Sequence, residues 1–159
     1  RLVRIALQHT KRRVRAVAAR GAQWWERPEA AAYWKAYEAA ASRLEVTRIF
    51  LVRPTEDRAM LDRVLSRQRR AGVKTFVLDA AKVPEDHVRP LVIFDEHLIH
   101  RHAKPESGDG TFTKVEFCDR PEELLAAEEA FRVVFDLAEE AEEVGSSQLR
   151  RLWARLFRV

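Results

Sequence analysis

His102, Lys104 and Asp109 stand in the order H-x-K-x-x-x-x-D, an imidazole, an ammonium and a carboxylate, residue types that nucleophilic chemistry uses. The residues between Lys104 and Asp109 are Pro105, Glu106, Ser107 and Gly108, a loop by composition. Such a loop gives no rigid support to a nucleophile and its partners. His100 and His102 lie two apart, so on a strand they share a face, and Cys118 or Asp119 could join them around a metal. Two histidines on a strand are more simply polar surface, and no metal is expected. Cys118 reads as a small buried apolar residue with nothing to activate its thiol. Both G-x-G-x-x-G and G-x-x-x-x-G-K are absent, which excludes nucleotide binding by those loops, and no cofactor is expected. None of Ser42, Ser66, Ser107, Ser146 and Ser147 sits in a nucleophile elbow.

A second concentration is aromatic: Trp24, Trp25, Tyr33, Trp34 and Tyr37 among basic residues. Stacking on single-stranded nucleic acid uses this mixture. The three–four spacing of Tyr33, Trp34 and Tyr37 favours an apolar anchor for a helix instead. Trp24 and Trp25 fit that stripe least and are the better candidates for lining a pocket.

The elements that must position these residues have their own signals. TRIFLVR (residues 47–53) is an apolar, β-forming run ended by Pro54. Thr55 is placed to cap a following helix, and Gly72 stands where a left-handed stop belongs. The helix stripe is Leu61, Val64, Leu65 and Gln68. KTFVLDA (74–80) reads as a second strand and PLVIFD (90–95) as a third. A strand–helix–strand unit with such short joints predicts a parallel pair with a right-handed crossover. VRAVAA (14–19) predicts an earlier strand, and Pro28 opens a helix at its first position. HLIHRH (97–102) predicts the return of a hairpin turning at Asp95-Glu96. FTKVEF (112–117) alternates as a half-buried strand. A long helix then carries Leu124, Ala127, Phe131, Val134, Phe135 and Ala138 on one face, and its acidic end needs a positive partner. Gly145-Ser146-Ser147 predicts a break before a last amphipathic helix with Arg150, Arg151, Arg155 and Arg158 opposite its apolar side. That helix is expected to pack on a neighbouring domain or a second copy. The fold class is α/β: a mixed, largely parallel sheet with helices on both faces. The divisions are an N-terminal helix or linker (1–13), the α/β domain (14–144) and the basic helix (146–159).

The 159 residues suit one domain, and an apolar content of 47% argues against disorder. No apolar run approaches the roughly 20 residues that span a bilayer. One cysteine excludes an internal disulfide and suits a reducing cytoplasm, the expected location. The chain begins at Arg1, so it is expected to be a piece of a longer protein. Charge is segregated. Residues 1–74 hold 18 Lys/Arg against 7 Asp/Glu, a net of +11, and residues 75–145 hold 7 against 18, a net of −11. The basic half could bind nucleic acid, but pairing between the halves, or with a second copy, is the expected outcome.

H-x-K-x-x-x-x-D is the signature spacing of the phospholipase D superfamily, and the element order resembles one half of that fold. In that family the His attacks a phosphodiester, the Lys binds the phosphate and the Asp supports the site. Two motifs, from two halves or two subunits, complete it. This would cast His102, Lys104 and Asp109 as a half-site. A second register fits the architecture better: PLVIFDEHLI (90–99) resembles the strand–turn–strand that carries the motif, with Asp95 in the Asp position. The His and Lys positions then fall on Val88 and Pro90, while His87 and Arg89 are each one residue out of register. The likeness is to an inactivated half, as in sugar-sensing archaeal transcription regulators and modules of bacterial regulators.

The resulting expectation is a non-catalytic sensory or regulatory module of a larger bacterial protein, with a homodimer or a neighbouring domain as partner. A small molecule would sit at the C-terminal edge of the parallel strands, where ligands of open α/β sheets bind. Arg53, Thr55, Asp79, Asp95, Trp24 and Trp25 would meet it. The alternatives are a half-site phosphodiesterase acting across a dimer and a nucleic-acid-binding module using the basic half.

Overall fold

The computed structural model describes residues 2–25, 27–53, 57–103 and 114–156, with the backbone alone at 22, 29, 102, 103, 114 and 143–156. Its strands are β1 (Arg13–Ala18), β2 (Glu45–Val52), β3 (Lys74–Asp79), β4 (Leu91–Phe94), β5 (Leu98–Ala103) and β6 (Lys114–Cys118). Its helices are α1 (Leu2–His9), α2 (Ala22–Trp25), α3 (Pro28–Ala41), α4 (Arg58–Arg70) and α5 (Pro121–Leu156). The described strands form one sheet in the order β3-β2-β1-β4-β5-β6. The pairs β1–β2 and β2–β3 are parallel, and β1–β4, β4–β5 and β5–β6 are antiparallel. The predicted strand–helix–strand unit is therefore present, with Ile49 opposite Phe76.

β2 is buried from Val46 to Leu51, as a strand covered on both faces requires. Each face has its own helices. Ile49, Leu51, Phe76, Leu78, Leu91, Ile93 and Ile99 pack against Ala127, Phe131, Val134 and Ala138 of α5. On the other face α1 and α3 cover Val14, Ala16, Val46 and Val92 through Leu7, Tyr37 and Ala40. α4 covers Phe50 through Leu61, Val64 and Leu65.

Several local expectations change. The cap of α4 is Asp57, whose carboxylate accepts from the Met60 N–H at 3.0 Å, and Thr55 lies outside the described residues. Gly72 has φ +89°, the left-handed stop its position predicts. α5 runs from Pro121 to Leu156 through Gly145-Ser146-Ser147, so the break expected there is not present. A lone glycine inside a helix costs only about 1 kcal/mol relative to alanine, too little to stop a helix favoured on both sides. Val115, expected on a half-buried face, is 48% exposed because β6 is the edge strand.

Part of the segregated charge is met within the chain. Arg12 and Arg13 pair with Glu96 at 2.7 and 2.5 Å, Arg15 pairs with Glu128, and Lys74 lies 4.0 Å from Glu139 near the acidic end of α5. Among the described residues, no helix is long and apolar enough to cross a membrane.

Candidate functional site

A row of paired residues crosses the sheet on the α3 face: Arg48, Ala16, Val92, His100 and Phe117. Ala16 is the small member, and the methyl group it presents leaves a hollow between Arg48 and His100. Trp24, Trp25 and Tyr33 wall this hollow, and Pro90 and Val92 close it on the β4 side. The cavity holds about 190 Å³. Among the described residues its lining is apolar apart from Arg20, Arg48 and His100, and contains no acid.

Arg48 is the unusual residue. It is fully buried, at 0% exposure, in the middle of a central strand. Its guanidinium carbon lies 4.1 Å from the Tyr37 ring, 5.2 Å from Trp25, and 5.6 Å from both Tyr33 and Trp34. None of its three nitrogens meets an acceptor at good hydrogen-bond geometry among the described residues, although the Tyr37 hydroxyl interacts with the guanidinium. Burying an unpaired charge costs several kcal/mol. A desolvated cation–π contact returns about 2 kcal/mol or more, so the aromatic cage offsets part of that cost without supplying a counter-charge. Tyr37 cannot supply one: burial, with neighbouring Tyr33, holds its hydroxyl well above the usual phenol range. Tyr33 donates its hydroxyl to the Tyr37 hydroxyl oxygen at 3.1 Å.

The indole of Trp25 is the second feature. Trp34 donates its Nε1–H to the Trp25 carbonyl at 2.9 Å, which locks the two rings together. The Nε1–H of Trp25 itself is buried and has no acceptor among the described residues. At the rim, Arg20 stacks over Trp24 with its guanidinium carbon 4.6 Å from the ring. Partial burial lowers the Arg20 pKa, nearby Tyr33 counters that, and Arg27 adds to it.

The residues expected to form a site separate. Trp24 and Trp25 line the cavity, next to the C-terminal end of β1. Arg53 is exposed just past β2 and does not reach it. The Asp79 carboxylate accepts from the Ala81 N–H at 2.9 Å and caps a short turn after β3. Asp95 lies at the opposite end of β1, because β4 runs antiparallel to it. Its carboxylate accepts from the backbone N–H groups of Lys11, Arg12 and Arg13 at 2.8, 2.9 and 2.9 Å. Burial alone would raise this carboxyl, but the three donors outweigh it and hold it below the usual range. Asp95 also takes φ +49°, which turns the β4–β5 hairpin and which aspartate tolerates better than most residues. It therefore pins the start of β1 rather than joining the other five.

His102 pairs with Val115 at the end of β5, and Lys104 and Asp109 lie outside the described residues. A metal site joining His100 to Cys118 is ruled out by register. His100 pairs with Phe117 on the α3 face, whereas Cys118 pairs with Ile99 and packs on the α5 face. Among the described residues no cluster of three His, Cys, Asp or Glu side chains could hold a metal.

Arg48 is the residue that the strand reading passed over. Its signal was available: one charge in phase with Val46 and Phe50, inside a run that a central parallel strand requires to be apolar. The stripe Tyr33, Trp34, Tyr37 anchors α3, as its spacing predicts, and also forms the cage.

Comparison with known proteins bears on the fold. No family profile matches the sequence, and no curated protein does. Solved structures do match. Nuc from Salmonella typhimurium, a phospholipase D family member, superposes with a TM-score of 0.60 at 17% identity, over 86% of each chain. NucT from Helicobacter pylori gives 0.57 at 13% identity, again over 86% of each. The archaeal chromatin protein TrmBL2, described as binding DNA in a novel mode, gives 0.56 at 10% identity over 85% of this chain. This chain spans about half of that protein, 47% of its length. With its mixed six-stranded sheet and helices on both faces, the chain has the phospholipase-D-like fold.

Proposed function

We propose that this domain is a non-catalytic ligand-binding module, whose occupied state is read by a second copy or by a neighbouring domain of a larger protein. The observation that carries the reading is the walled cavity beside Trp24 and Trp25, where the sheet places a buried cation and, among the described residues, no acid. The motif positions support it. In the register that fits the strands, His and Lys are replaced by Val88 and Pro90, and the Asp95 carboxylate is committed to the backbone of residues 11–13. A nucleophile held against a base and an anion-binding group has no counterpart there.

The test is turnover of bis-p-nitrophenyl phosphate, single-stranded DNA and phosphatidylcholine by the protein and by His102→Ala. We expect no turnover that depends on His102. Activity lost in the variant would overturn this reading in favour of a half-site phosphodiesterase.

Nucleic-acid binding is a second reading, favoured by the net +11 of residues 1–74 and by the fold shared with an archaeal chromatin protein. Against it, Arg12, Arg13, Arg15 and Lys74 are engaged by carboxylates of the same chain. Fluorescent oligonucleotides titrated between about 50 and 200 mM salt should therefore bind weakly throughout. Micromolar binding at the upper salt, lost in Arg12→Glu/Arg13→Glu, would make nucleic acid the partner.

A further inference from the structure

We propose that the cavity over Ala16 takes a small organic monoanion, a carboxylate on an apolar body, with Arg48 as its counter-charge and the Trp25 indole N–H as a second donor. The inference rests on the binding-module reading above and names its ligand class. Two buried donors border one hollow: the Arg48 guanidinium, whose three nitrogens have no carboxylate or carbonyl partner among the described residues, and the Trp25 Nε1–H. The guanidinium carbon stands 5.2 Å from the Trp25 ring, so one carboxylate can accept from both residues. Apart from Arg20 and His100, the remaining wall is alanine, valine, proline and aromatic rings, which suits a hydrocarbon and not a sugar or a nucleotide. Volume sets the size. An apolar cavity of about 150 Å³ admits benzene, so this one, at about 190 Å³, admits a single ring or a short chain bearing a carboxylate. Cations in and around the hollow, with no acid among the described lining residues, exclude cationic ligands, and the one fully buried guanidinium balances one negative charge.

Benzoate and its neutral analogue benzyl alcohol are the probes, titrated against tryptophan fluorescence and checked by calorimetry. Trp24 and Trp25 stand in the wall, so occupancy should change their emission. The protein should bind benzoate more tightly than benzyl alcohol. Arg48→Met keeps the volume and removes the charge, and should weaken benzoate by about tenfold or more, the worth of a charge-assisted hydrogen bond, while leaving benzyl alcohol nearly unchanged. Ala16→Leu fills the hollow from its floor without touching the guanidinium, and should abolish both. Should Arg48→Met fail to fold, Ala16→Leu and the benzoate-to-benzyl alcohol ratio of the unaltered protein still decide the matter. Benzyl alcohol binding as tightly as benzoate overturns the anion assignment and leaves the module reading standing. Neither probe binding, or both surviving Ala16→Leu, overturns the site itself.

Discussion

The two faces of the sheet are built from the same strands and serve opposite ends. On the α5 face Ile49, Leu51, Phe76, Ile93 and Ile99 meet Phe131, Val134 and Ala138, and the charged side chains Arg15 and Arg101 are paired with Glu128 and Glu123 of α5. On the α3 face the same β2 presents Arg48 between Val46 and Phe50, and the same β1 presents Ala16. One face is filled to stabilise the fold. The other carries a buried charge, an indole N–H without an acceptor among the described residues, and a hollow, all of which cost stability. A fold tolerates such a face only when the opposite one holds it together, and a protein retains it when the destabilising features act on something else.

The comparison breaks most visibly on the filled face. Phe131 stacks on Phe135 at 5.8 Å between ring centres and is 6% exposed. Phe131→Ala should destabilise by about 3–5 kcal/mol in a denaturant titration, the usual cost of truncating a buried aromatic. A loss below about 1 kcal/mol would mean that α5 does not supply the main core.

Asp95 tests the corner where both faces begin. Asp95→Asn keeps a residue that accepts φ +49° but turns one acceptor oxygen into a donor that faces a backbone N–H. The expected cost is about 1–3 kcal/mol at neutral pH. The sign with pH follows from the lowered carboxyl. The folded pKa lies below the unfolded one, so the stabilisation is complete above the unfolded value, about 4, and is lost as pH falls through the folded value. The gap between wild type and variant should therefore close under acid, in urea titrations run on either side of pH 4. A gap that widens under acid would reverse the sign and remove the Asp95 assignment.

Legibility in the sequence divides along the same line. The filled face is readable because apolar periodicity is what it is made of: Ile49, Leu51, Leu78 and the stripe from Ala127 to Ala138 announce themselves. Gly72 and the β4–β5 hairpin are readable because turns need particular residues. The site is less so. Arg48 hides inside an apolar run, and its meaning depends on four rings brought from α2 and α3, which no local pattern reports. Trp24 and Trp25 could be set aside from the helix stripe, but Arg53, Asp79 and Asp95 were grouped by position along strands. The strand direction of β4 sends Asp95 to the far end, and Asp79 turns back to its own backbone. The break at Gly145 failed for a simpler reason, since glycine alone is a weak helix terminator.

The central claim is that Arg48 serves a ligand and not the fold, and the unfolding midpoint of Arg48→Met measures this most directly. Replacing a buried, unpaired charge by an apolar side chain of similar volume is neutral or stabilising when the charge has no structural partner. Without ligand, the variant should melt at or above the temperature of the unaltered protein, although four cation–π contacts are lost. A midpoint lowered by several degrees, comparable to a core truncation, would make Arg48 a structural cation and contradict the account.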